Sequence, residues 1–196
     1  PILLGCLGAA AAGGPLRLLF VDGHEDAWPP AQSSTGEAAD MELGWLLGLT
    51  SSGLRADLRR EIPVLIPSDV IVLGPRDQRE LADAGVRSIA DLVQIIRPDE
   101  IASDPMNVTR EAARTLGQRG PWWLHVDLDV LATDSLAAVD YRQAGGLDWP
   151  TLTTLTRAAL AAPGVLGWDV TIYNPDLDQD GADAARIVRY MADALG

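Results

Sequence analysis

Leu16-Arg17-Leu18-Leu19-Phe20-Val21-Asp22-Gly23-His24-Glu25-Asp26 joins an apolar run to a dense acidic cluster. Trp122-Trp123-Leu124-His125-Val126-Asp127-Leu128-Asp129 repeats that pattern further along the chain. Short, nearly continuous apolar runs of this kind read as strands buried on both faces, the habit of parallel sheets. In such sheets ligands gather beyond the carboxyl ends of the strands. Both acidic stretches lie there.

Working outward, strands and helices alternate. A small-residue helix is expected over 2–12, ahead of strand 16–21. A loop rich in Pro, Ser and Gly over 27–36 leads to a helix over 37–47. A strand over 69–74 ends in the turn Gly74-Pro75-Arg76-Asp77, and helices are read at 77–84, 89–95 and 108–117. After strand 121–126 come a long loop over 130–147, helix 149–161, strand 164–172 and helix 179–195. The expected fold class is α/β, a three-layer α-β-α domain with a mainly parallel sheet covered by helices on both faces. Trp122 and Trp123 read as core and helix-packing residues, and the last helix reads as a packing element.

The chain has 196 residues, 47% of them hydrophobic, enough for one domain with one core. Its formal net charge of −13 argues against nucleic-acid binding, which needs basic patches. A lone cysteine, Cys6, excludes an internal disulfide framework and fits a reducing, cytoplasmic setting. Its apolar, small-residue surroundings predict a buried structural thiol. The segment is too short and too broken by Gly to span a membrane, and no basic residues precede it as in a signal peptide. The chain opens on Pro1, so further residues are expected ahead of it.

Crowded carboxylates repel one another and desolvate badly unless a cation joins them. If the strand runs on briefly past Val21, then Asp22, His24 and Asp26 point to one side, and Asp127 and Asp129 do the same in their own stretch. A single D-x-D is weak, because a strand-end Asp often caps a turn. Two clusters at two strand ends are a much stronger sign of a metal site. Carboxylates with one imidazole suit Mn²⁺ better than Zn²⁺ or Ca²⁺. Shared carboxylates hold two such ions roughly 3.5 Å apart, and water between them loses its proton near neutral pH.

At these motifs the chain resembles the ureohydrolase superfamily: arginase, agmatinase, guanidinobutyrase and formimidoylglutamase. The family's D-A-H-x-D reads Asp22-Gly23-His24-Glu25-Asp26, and its S-x-D-x-D reads His125-Val126-Asp127-Leu128-Asp129. Gly145-Gly146-Leu147, Asp169-Val170-Thr171-Ile172-Tyr173-Asn174-Pro175 and Gly74-Pro75-Arg76-Asp77 match three further motifs in order. The resemblance implies an arginase-like fold and two Mn²⁺ ions bridged by Asp22 and Asp127. Asp26 would complete one ion, and His24 with Asp129 the other. It also implies one more ligand, a His or Cys, immediately ahead of Pro1, together with the first strands of the family fold. The family assembles as oligomers, so a homo-oligomer is expected.

Three departures bear on the substrate. The family's guanidinium-binding Glu is Ile172, and the Asn that grips amino-acid substrates is Trp28. The loop His that shuttles protons is Ala39. Glu37 is the candidate to bind a cationic amidine or act as general acid, unless it only complements a helix dipole. His125 should share Asp127's side of the strand as a metal-supporting partner or proton shuttle, unless it is a core histidine bonded to backbone. Trp28 and Tyr141 should border the mouth and suit an apolar or cationic substrate. An Arg76–Asp77 pair is expected to support the metal loops. The function implied is hydrolysis of a C–N bond in a small guanidino or formimidoyl compound, with Asp26, Glu37 and His125 as catalytic groups. The alternative is a non-catalytic homologue serving as a binding or assembly subunit.

Overall fold

The computed structural model describes residues 2–196. Five strands, β1 (Arg17–Val21), β2 (Val70–Leu73), β3 (Gln94–Ile96), β4 (Trp122–Asp127) and β5 (Val165–Thr171), form one sheet in the order β3-β2-β1-β4-β5. Every neighbouring pair is parallel. The helices are α1 (Ile2–Gly13), α2 (Glu42–Leu46), α3 (Ala56–Glu61), α4 (Gln78–Asp83), α5 (Pro98–Ser103), α6 (Pro105–Arg119), α7 (Trp149–Leu160) and α8 (Ala182–Leu195). Among the described residues no helix is long and apolar enough to cross a membrane.

Side chains alternate across the pleat and divide the core into two layers. Leu18, Phe20, Val70 and Val72 pack under α1 and α2 against Ile2, Cys6, Leu43 and Leu46. Leu19, Val21, Ile71, Leu73, Leu124 and Val126 face the other way, onto Leu116 of α6, Leu155 of α7 and Tyr190 of α8. β1, β2 and β4 are buried on both faces, which is why alternation is invisible in their sequences, whereas the edge strands β3 and β5 are only partly covered.

Helix α1 is built from small residues because it lies close to the sheet. A Cβ on Gly5 would stand 2.8 Å from the Trp123 indole. Burial pushes the Cys6 thiol up to about 12, so it is a packing group and no nucleophile. Helices α6 and α7 begin at Asp caps: Asp104 accepts from the Asn107 amide at 3.2 Å and Asp148 from that of Thr151 at 2.9 Å. Helix α8 does pack, as expected, since buried Tyr190 shares a 2.7 Å hydroxyl bond with Thr156 of α7.

Four expectations change. The segment read as helix 89–95 is a 3-10 turn, Ile89–Asp91, followed by edge strand β3. Its Ile89, Leu92 and Val93 have helical spacing, but pairing with β2 outweighs it. The helix read over 37–47 starts later, as a 3-10 turn at Ala39–Met41 and then α2, so Glu37 lies in the preceding loop. Helix α3 buries no side chain, and α5 precedes α6; neither was anticipated.

Candidate metal centre

The register between neighbouring strands builds the site. β1 and β4 pair in parallel with Val21 opposite Val126, so Asp22 and Asp127 leave the sheet side by side. The strand does not continue past Val21: residues 22–26 form a loop, and it is this loop rather than the pleat that gathers their side chains. Asp26 takes a left-handed backbone, φ 43°, and its carbonyl accepts from the amides of Leu43 and Gly44 at the start of α2. Glu25 points away from the cluster and receives hydrogen bonds from Ser88 Oγ at 2.8 Å and the Ile89 amide at 2.7 Å. Asp129 arrives through a 3-10 turn whose amide donates to Asp127 Oδ1 at 2.9 Å.

Two groups of donors result. His24 Nδ1 stands 3.1 Å from Asp129 Oδ2 and 3.6 Å from Asp22 Oδ1. His125 Nε2 stands 4.0 Å from Asp22 Oδ2. In each group, Asp22–His24–Asp129 and Asp22–His125–Asp127, the ligand atoms all lie within 4.8 Å of one another. Asp22 belongs to both, and its buried Oδ2 has no hydrogen-bond partner. An orphaned carboxylate oxygen among like charges is the environment a cation relieves, so these residues fit a pair of hard metal ions.

The electrostatics agree. Burial, then the charges of Asp129 and Asp127, hold the Asp22 carboxyl well above its usual range. Burial and Asp22 do the same to Asp26, and burial and Asp129 to Asp127. Burial alone would lower the His24 imidazole, but its hydrogen bond with Asp129 prevails and holds it at about 9. That same bond, working against burial, keeps Asp129 below the ordinary carboxylate range.

Arg76 and Asp77 do support these loops, though not as a pair. The Arg76 guanidinium donates to the carbonyls of Asp129 at 2.9 Å, Leu131 at 3.2 Å and Ala144 at 3.2 Å. Asp77 accepts from the Glu25 amide at 3.0 Å. Gly23 leaves room for this arrangement: a Cβ there would stand 2.6 Å from Arg76 Nη1 and 2.7 Å from the Asp129 carbonyl.

Above the carboxylates opens a cavity of about 290 Å³, lined by His24, Asp26, Asp127 and Asp129 below and by Trp28 and Tyr141 at its mouth. Glu37 is exposed and does not line it; instead it accepts from the Tyr141 hydroxyl at 3.1 Å. Besides the floor, the cavity's lining carboxylates are Asp40 and Asp140, with Glu80. Neither Asp stood out in the sequence, because isolated loop Asp residues are common turn formers. Ile172 also lines the cavity, with φ 65°. A β-branched residue in that region is strained, and such strain collects at functional sites.

His125 is buried and lies outside the cavity wall, so it does not reach a substrate as a shuttle would. Nor is it a core histidine bonded to backbone. Its ring stacks on Phe20, and Nδ1 lies 2.7 Å from Asp169 Oδ2. Asp169 and Thr171 lie in a motif quoted from the sequence, which gave neither a role; the Thr171 hydroxyl donates to Asp127 Oδ2 at 2.8 Å.

Residues 1–196 match the arginase family. The chain belongs to that family. It is 32% identical over 168 residues to the N(omega)-hydroxy-L-arginine amidinohydrolase of Streptomyces lavendulae, covering 86% of this chain and 55% of that protein. Arginase-family structures share its fold. The arginase of Bacillus caldovelox gives a TM-score of 0.77 at 22% identity, covering 97% of this chain and 64% of that one. The proclavaminate amidino hydrolase of Streptomyces clavuligerus gives 0.66 at 21%, covering 98% and 58%. The chain thus spans about half the length of its curated relative. Four of the five arginase-family motifs read in the sequence fall at the carboxyl ends of β1, β2, β4 and β5, and those of β1, β4 and β5 line the cavity.

Proposed function

We propose that this arginase-family chain belongs to a binuclear manganese hydrolase that cleaves a C–N bond in a small linear guanidino or amidine compound, releasing urea or formamide and an amine. The observation that carries this reading is the orphaned, buried Asp22 carboxylate shared by two donor groups beneath an open cavity. Asp22 and Asp127 would be shared by the ions, His24 and Asp129 would serve one, and Asp26 the other. When bound, the ions polarise the amidine and acidify a water to near-neutral pKa.

The protein's own groups do the rest. Asp40 and Asp140 draw a cationic substrate to the rim, and Trp28 and Tyr141 offer aromatic faces to it. Glu37 acts through Tyr141, holding its hydroxyl and so the edge of the ring that approaches His24. The Asp26 carboxyl faces the cavity and is placed to pass a proton to the leaving nitrogen. Ile172 supplies no charge for a guanidinium, and Trp28 no amide for an α-amino acid, which argues against L-arginine as the substrate. The single catalytic domain is proposed to extend beyond this chain and to work as a cytoplasmic homo-oligomer.

A second reading, a metal-binding homologue without turnover, draws on the same cavity wall, where Ile172 and Ala39 stand in place of reactive groups. The test is release of urea, formamide and amine from a panel of guanidino and formimidoyl compounds by Mn²⁺-loaded full-length protein. N(omega)-hydroxy-L-arginine, the substrate named for the Streptomyces lavendulae relative, belongs on the panel. Turnover that vanishes in Asp127→Ala supports the hydrolase. Two bound ions with silence across the panel support the non-catalytic reading.

A further inference from the structure

The family motif places a Ser where this chain has His125, and nothing in that motif gives the position a role in holding metal. In this structure β1, β4 and β5 lie side by side, with Phe20 opposite His125 and His125 opposite Asp169. The imidazole is therefore fixed on both sides. Phe20 stacks on one face at a centroid distance of 4.8 Å. Asp169 Oδ2 takes Nδ1 at 2.7 Å, while its Oδ1 accepts from the Trp123 indole, so neither carboxylate oxygen is free to turn toward the cluster. In a neutral imidazole, a carboxylate on Nδ1 selects the tautomer with its proton there. Nε2 is left with a lone pair, aimed at Asp22 and Asp127.

That lone pair faces another. Nε2 and Asp22 Oδ2 are 4.0 Å apart, too far for a hydrogen bond, and Oδ2 has no other partner. Two donors each roughly 2.1 Å from one ion lie up to about 4.2 Å apart. A histidine whose far nitrogen is held by a carboxylate and whose near nitrogen points into a carboxylate cluster is the usual arrangement of a metal-bound imidazole.

We propose that His125 is itself a metal ligand, its Nε2 binding the ion shared with Asp22 and Asp127, and that Asp169 is its positioning residue. This rests on the binuclear reading above. His125 would place an imidazole on the ion served by Asp26, as His24 would on the other. The chain has two histidines, and both would be ligands.

The experiment is pulsed electron paramagnetic resonance of the Mn²⁺-loaded full-length protein, which detects nitrogen bound directly to manganese, with metal stoichiometry and affinity measured alongside. Wild type, His125→Gln and Asp169→Asn are compared, with circular dichroism as a check of fold. The expected result is two bound ions, loss of one set of nitrogen couplings in His125→Gln, and weaker binding of one ion. Asp169→Asn should keep the coupling and lose about 10–100-fold in affinity for that ion. Unchanged couplings in a folded His125→Gln protein would overturn the assignment while leaving the binuclear reading intact. Wild type that binds no manganese would overturn both. If His125→Gln does not fold, Asp169→Asn decides: unaltered affinity in that variant overturns the proposal.

Discussion

Replacing Asp22 by Asn should stabilise the metal-free protein and destabilise the metal-loaded one. The substitution is close to isosteric. Asn Oδ1 still accepts from the His24 amide, a bond of 2.7 Å here, and its new amide stands where the orphaned Oδ2 was, offering a donor to the neighbouring carboxylates. Removing a buried, unpaired group from among like charges is worth about 1–3 kcal/mol. In a domain of this size 1 kcal/mol moves the melting temperature by about 2–4 °C. The variant is therefore expected to melt roughly 2–12 °C above wild type in chelator. Manganese at a hundred times its Kd adds about 2.7 kcal/mol per ion to wild type. The variant forgoes most of that, because Asp22 sits in both donor groups. Scanning calorimetry with and without Mn²⁺ should show the order of the two proteins reverse. A metal-free variant that melts below wild type would mean that protein groups alone already satisfy Asp22, and an unchanged manganese response would refute its place at the centre.

Arg76→Lys keeps the charge but loses the planar fork that gathers three loops, so manganese affinity should fall about tenfold by calorimetric titration with little change in melting temperature. Asp77 offers a pH test. Burial, opposed by the Glu25 amide, raises its carboxyl from 3.8 to about 6. The folded state thus binds this proton more tightly, and the resulting stability is present below pH 3.8 and lost as pH rises through 6. Urea unfolding from pH 4 to 7 should show the wild-type advantage over Asp77→Asn shrinking across that window, by roughly 3 kcal/mol in all; a constant difference would discount the shift. Tyr190→Phe leaves the Thr156 hydroxyl without its buried partner and should cost about 1–2 kcal/mol by urea unfolding, with metal binding unaltered.

The long apolar strands and the acidic motifs were legible because their chemistry is local. A strand buried on both faces announces itself by composition, and Asp22, His24, Asp127 and Asp129 are close enough in sequence to be seen as groups. What escaped depends on register. Asp169 opens a motif visible in the sequence, but its role shows only when β4 and β5 pair it with His125, 44 positions away. β3 is three residues long and owes its extended form to β2 alone. Glu37 looked like a helix start because its neighbours are good helix formers, yet the chain makes only a 3-10 turn at Ala39–Met41 before α2, whose first amides are met by the Asp26 carbonyl. The D-x-H-x-D spacing named Asp22 and His24, which do come together, but by another geometry, since the loop and not the pleat turns them toward one another.

The division of labour between strand ends and loops has a practical consequence. Asp22 and Asp127 are spaced by the hydrogen-bonded ladder of β1 and β4, a ruler that changes in Trp28, Asp40, Asp140 or Tyr141 do not touch. The walls of the cavity come from segments 28–40 and 140–143. Grafting those two segments between relatives would exchange most of the cavity wall and leave the carboxylate floor as it is.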